Sequence, residues 1–164
     1  MQVVHKLIIQ IQVQKMVYNQ DKHVQLLKRS KDLKNKDKYL EKDEYSELLH
    51  YNVVIEHHLF WEQRYQVYKL MQNFLNNTID GDELASSVFG FRRNLMNSTD
   101  QFLSQLVAGE IKGFQPDSRS EIFKGFLSGL FTLCDEFMED YENPEFYTSI
   151  QNGFLKFEKV LNEE

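Results

Sequence analysis

From Glu44 onward, apolar side chains recur every three or four residues, the repeat of helices that bury one face. Tyr68, Met71 and Leu75 hold the first stripe, thickened by Trp61, Tyr65, Leu70 and Phe74, and Asn76-Asn77-Thr78 offers the turn chemistry that stops it. Asp80 with Glu83 three residues later forms an acidic capping box ahead of Leu84, Val88, Phe91 and Leu95, so a second helix starts there. Asn97-Ser98-Thr99-Asp100 interrupts the repeat, and Phe102, Leu103, Leu106 and Val107 predict a short helix before a loop from Gly109 to Pro116. Ser118 with Glu121 opens a third long helix, with Ile122, Phe126, Leu130, Leu133 and Phe137 as its buried face. Asn143-Pro144 announces the fourth, which carries Phe146, Ile150, Phe154, Phe157 and Leu161. The expectation is all-α: a four-helix antiparallel bundle over residues 44–164, preceded by an N-terminal charged extension.

Residues 1–43 read differently, as an arm that is partly ordered or helical. Val3 to Val13 ends in alternating apolar residues and Gln, a strand period. One strand has no stability alone. Pairing with another chain, packing as a helix and remaining disordered are the alternatives. Lys22 to Lys42 holds eight basic and three acidic residues around a few apolar anchors, which suggests a linker or a solvated helix.

Composition narrows the class. The 164 residues are 41% hydrophobic and 13% aromatic with only 2 Pro, which suits one helical domain with an appended arm. Cys134 is the single cysteine and forms no internal disulfide, so a reducing compartment is expected: the cytoplasm, or an organelle interior such as a plastid stroma. No run of about 18 apolar residues suggests a membrane span. Gln10, Gln12 and Gln14 interrupt Met1 to Val17, against a targeting peptide. Residues 1–60 carry ten Lys or Arg and eight acids, a net of +2; residues 61–164 carry nine and seventeen, a net of −8. An acidic C-terminal part repels nucleic acid and attracts basic protein surfaces.

Catalytic chemistry finds little support. Of His5, His23, His50, His57 and His58, only His57-His58 are adjacent, and neighbours on a helix point about 100° apart, which prevents joint metal ligation. Cys134 sits beside Asp135 and Glu136, which raise a thiol pKa where a nucleophile needs it lowered. No glycine-rich phosphate loop exists. The reading is a non-enzymatic protein without cofactor or metal. Its conspicuous polar feature is a run of acids, Asp135, Glu136, Glu139, Asp140, Glu142 and Glu145, with Tyr141 among them. Dipole compensation does not explain it, since Glu139 and Asp140 lie at the negative end of a helix. A solvated turn and a docking surface for a cationic partner both fit; a calcium loop does not, because the central Gly is missing. Phe123 and Tyr147 lie off the main stripes, as spare core rings or as exposed rings beside the acids, and the core is the favoured place for either.

The stretch Tyr68-Lys69-Leu70-Met71-Gln72-Asn73-Phe74-Leu75-Asn76-Asn77-Thr78-Ile79-Asp80-Gly81-Asp82-Glu83-Leu84, with Phe91-Arg92-Arg93, resembles the opening helix pair of the colicin D immunity-like family of self-protective helical bundles. Leu130-Phe131-Thr132-Leu133-Cys134-Asp135-Glu136-Phe137 and its acidic sequel look like that family's third helix and junction, so the resemblance covers residues 61–162. It implies a four-helix antitoxin that covers the basic cleft of a tRNA-cleaving nuclease, with Asp135, Glu136, Glu139 and Asp140 standing in for RNA phosphates. The partner would be a basic protein, with no direct contact to nucleic acid or membrane. The chain departs from the family in about sixty extra N-terminal residues and a longer segment between the second and third helices. A structural or adaptor protein that self-associates through residues 1–43 is the alternative.

Overall fold

The computed structural model describes residues 17–140 and 143–162, and these form six helices without a strand. They are α1 (Gln20–Lys34), α2 (Lys42–Glu62), α3 (Arg64–Leu75), α4 (Gly81–Ala108), α5 (Ser120–Glu139) and α6 (Phe146–Asn162). The all-α expectation holds, with six helices in place of four and an extension. The strand period at Val3 to Val13 lies outside the described residues.

Three local differences account for the changed count. Of the two readings of Lys22–Lys42 the helix is the one observed as far as Lys34: α1 is capped by Asn19, whose side chain accepts from the Lys22 N–H at 3.0 Å, and it is not wholly solvated, since it buries His23 and Leu26. Its C-terminus closes on Asp37 at φ 53°, with the Lys38 N–H donating to the Leu33 carbonyl at 2.9 Å. The stripe that begins at Glu44 breaks at Gln63 without Gly or Pro. There Arg64 donates to the Trp61 carbonyl at 2.9 Å and lies 4.5 Å from the Trp61 ring, satisfying an end carbonyl of α2 where α3 begins. Conversely, α4 runs unbroken through Asn97-Ser98-Thr99-Asp100. Ser98 and Thr99 donate to the Asn94 and Leu95 carbonyls one turn back, so their hydroxyls accommodate to the helix instead of ending it. Gly109, left-handed at φ 76°, is where α4 stops.

Two hydrophobic clusters result. The larger joins the end of α2 with α3, α4, α5 and α6 around Trp61, Met71, Leu84, Phe123, Leu130 and Phe157. Phe123, Phe126 and Phe157 stack with centroids 4.8 to 6.0 Å apart. The smaller joins α1, most of α2 and the end of α4 around Tyr18, Leu26, Leu48, Tyr51, Ile55 and Leu106. Its polar members are matched: Tyr18 donates to His23 Nδ1 at 3.1 Å, and His23 Nε2–H donates to Asn52 Oδ1 at 2.9 Å. An amide oxygen only accepts, which fixes this tautomer. Gln20 ties α1 to the α4–α5 loop twice, giving a hydrogen bond to the Ile111 carbonyl and taking one from the Phe114 N–H, both 2.7 Å.

The buried face of α5 differs from the expected one. Phe123, Leu127, Leu130, Phe131 and Cys134 point inward, whereas Ile122 is 55% exposed and Phe126, Leu133 and Phe137 are half-buried. So much of this helix is apolar that a 3.6-residue repeat fits more than one face. Nor does Ser118 start α5; the Asp117 carboxylate accepts from the Arg119 N–H at 2.8 Å and Ser120 donates to the Asp117 carbonyl at 2.7 Å.

Candidate functional site

Two helix junctions meet at one end of the larger cluster. Asp80 caps α4 by accepting from the Glu83 N–H at 2.9 Å, and Gly81 lies so close to α5 that an added Cβ would overlap the Phe137 ring. Phe137 stacks on Phe146 at 4.4 Å, which draws the start of α6 to the same place. Tyr147 closes the arrangement by donating to the Leu75 carbonyl at the end of α3, 3.2 Å away. Of the two rings off the main stripes, Phe123 is fully buried as a core ring, while Tyr147 is 43% exposed.

Asp135, Glu136, Glu139 and Asp140 are all exposed on the last turns of α5. Tyr141 and Glu142 lie outside the described residues. The packing of Gly81 on Phe137 adds a group that the one-dimensional reading left apart: Asp80, Asp82 and Glu83 belong to the same pole, all three exposed. Their separation of some fifty residues from the α5 acids hid the connection. One sequence signal was present, since no Lys or Arg occurs between residues 70 and 91 or between 125 and 155. Those two stretches supply the pole, and its field is accordingly negative.

A groove of about 560 Å³ runs between α5 and α6 away from this pole. Phe126, Leu130, Leu133 and Ile150 make it apolar, and Gly125, Gly129 and Gly153 keep it open. Glu136 stands at its acidic end and Lys156 at the other.

Other sequence candidates resolve into packing. The Cys134 thiol is fully buried, and burial first, then Asp135, pushes its pKa up to about 12, the reverse of what a nucleophile needs. His57 and His58 are half-buried and both titrate below the usual value, chiefly through burial. His58 packs edge-on against Phe114 at 4.7 Å, and its Nδ1 is buried without a hydrogen bond. Asp117 is held down to about 2 by its hydrogen bonds with Arg119. Among the described residues no three His, Cys, Asp or Glu side chains converge as a metal site, and no helix is long and apolar enough to cross a membrane.

Comparison with protein families, curated proteins and solved structures finds no match for this chain. The likeness to the colicin D immunity family therefore rests on the quoted residues alone.

Proposed function

We propose that this is a non-enzymatic, immunity-like protein that docks a basic partner, such as a tRNA-cleaving nuclease, on the acidic pole. The observation that carries the reading is the convergence of Asp80, Asp82 and Glu83 with Asp135, Glu136, Glu139 and Asp140 from two lysine- and arginine-free stretches. Carboxylates held on rigid helix ends present phosphate-like charge without needing to reorganise, and the negative field speeds encounter with a cationic cleft. Tyr147, exposed at the same end, provides an aromatic surface beside the charge. In this reading α3 to α6, with the end of α2 packed on them, make up the immunity-like bundle of residues 61–162, and α1 with the rest of α2 is an addition.

Titration of the full chain against a colicin D-type nuclease domain, read by tRNA cleavage and by direct binding, tests the reading. Inhibition that weakens with added salt, and falls by about a hundredfold when Asp135, Glu136, Glu139 and Asp140 become Asn or Gln, is the expected result. A folded quadruple variant that inhibits as well as the parent removes the acidic pole as the docking surface. Absence of inhibition by the parent removes that class of nuclease as its partner.

A further inference from the structure

The groove between α5 and α6 is not explained by the packing of the chain on itself. Gly125 and Gly129 lie four residues apart on one face of α5, and a Cβ on either would meet nothing within 4 Å. A glycine inside a helix costs about 1 kcal/mol relative to alanine, and here no intramolecular neighbour requires it. Gly90 on α4 is open in the same way but stands alone. Ile122 precedes Gly125 by three residues and Phe126 by four, so it continues the same face, and it is 55% exposed. The outward side of α5 thus carries Ile122, Phe126 and Leu133 beside two glycines that lower the wall.

Charge selects the occupant. Phe137 stacks on Phe146 while Phe126 stacks on Phe157, so α5 and α6 run antiparallel. Glu136 and Lys156, which lies level with Leu127, consequently mark opposite ends of the groove, about 14 Å apart along the axis at 1.5 Å per residue of α5. A surface with one sign at each end is complementary to itself when a second copy is turned end for end. Turning the copy this way brings each Glu136 to the end that holds the other copy's Lys156, and it keeps the two acidic poles at opposite ends of the pair. Docking with the helices parallel would instead bring like charges together.

We propose that the α5–α6 groove joins two copies of this chain in an antiparallel two-fold dimer, with the two α5 helices crossing near Gly129. The absence of side chains at Gly125 and Gly129 lets the backbones approach, and Ile122, Phe126 and Leu133 leave water on both sides. The 20 residues of α5 give a face about 30 Å long. At the width of two helices, roughly 20 Å, it offers about 600 Å² per copy, near the ~800 Å² per partner of a standard interface. The dimer shares Glu136 with the acidic pole but otherwise concerns a different face, and because its test reads mass and not nuclease inhibition, either reading can fail without the other.

Sedimentation equilibrium of the full chain over a wide concentration range is the test, with circular dichroism to confirm folding. The parent should be a dimer. Gly129→Leu should weaken dimerisation by about tenfold or more while leaving thermal stability equal or higher, because leucine favours the helix and a Cβ at this position has nothing within 4 Å in the single chain. Glu136→Lys and Lys156→Glu should each weaken it, and the double variant should recover most of the loss. A parent that stays monomeric overturns the proposal. So does a dimer indifferent to both Gly129→Leu and the charge exchange, which would then form through another surface.

Discussion

The two hydrophobic clusters are held together by different means. The larger joins five helices through stacked rings and has fully buried Met71, Leu84, Phe123, Ile150 and Phe157. The smaller holds α1 to α2 and α4 with edge-on rings, Tyr18 against Tyr51 and Phe114, and adds buried polar matching: Tyr18, His23 and Asn52 in one chain of hydrogen bonds, and Gln20 on the α4–α5 loop. Apolar burial is non-directional and tolerates small shifts, whereas a buried hydrogen-bond chain loses much of its worth when one partner changes. The first region therefore sets the stability of the whole, and the second is open to being released by itself.

The largest contrast is expected from truncation in each region. Phe157→Ala should cost about 3–5 kcal/mol and lower the unfolding midpoint of the whole chain. Leu26→Ala should cost about 2–4 kcal/mol of local stability, so that amide exchange speeds up in α1 while α5 keeps its protection. Equal loss of protection in both helices would mean that the clusters form one cooperative unit.

Gln20→Ala sharpens the same comparison at lower cost. It leaves the Ile111 carbonyl and the Phe114 N–H without their partner, a penalty of about 1–3 kcal/mol. Exchange should rise over residues 110–116 and the first turn of α1. No change there would transfer the anchoring of α1 to its apolar contacts.

A smaller effect comes from pH. His23, His57 and His58 all titrate below the usual 6.5, with burial the leading cause in each. At and below pH 6.5 the unfolded chain binds protons that the folded chain refuses, so the contribution of these residues is present above that pH and is lost as pH falls below it. Groups facing His23 are Tyr18, Tyr51 and Asn52, none of them charged at neutral pH, so nothing nearby compensates an imidazolium. The urea midpoint should drop between pH 7.5 and pH 5.5, and drop less in a His23→Gln variant. An unchanged pH dependence in that variant would show that His23 is not among the groups responsible.

The helical class and several boundaries were legible in the chain itself. Asp80 with Glu83 and the stop at Gly109 are local chemistry, satisfied by neighbours in sequence, and both appear where that chemistry places them. The acids of α5 were legible too, since runs of charge stay in solvent with little regard to the fold. The break at Gln63 was not legible, because it depends on Arg64 folding back over Trp61 and not on a breaking residue. Burial of His23 was hidden for a related reason: as a polar residue it interrupts the stripe of α1, and only Tyr18 and Asn52, brought from outside that helix, make its burial affordable.

What the sequence determines by itself is periodicity, capping and net charge, since these act within a few residues or need no geometry at all. Which face of α5 turns inward was decided by tertiary structure, because that helix is apolar on several sides and only the positions of α2, α4 and α6 choose among them. Tertiary structure also joined the acids near residue 80 to those near residue 136. Their proximity follows from Gly81 packing on Phe137, a contact between distant parts of the chain that no local repeat encodes.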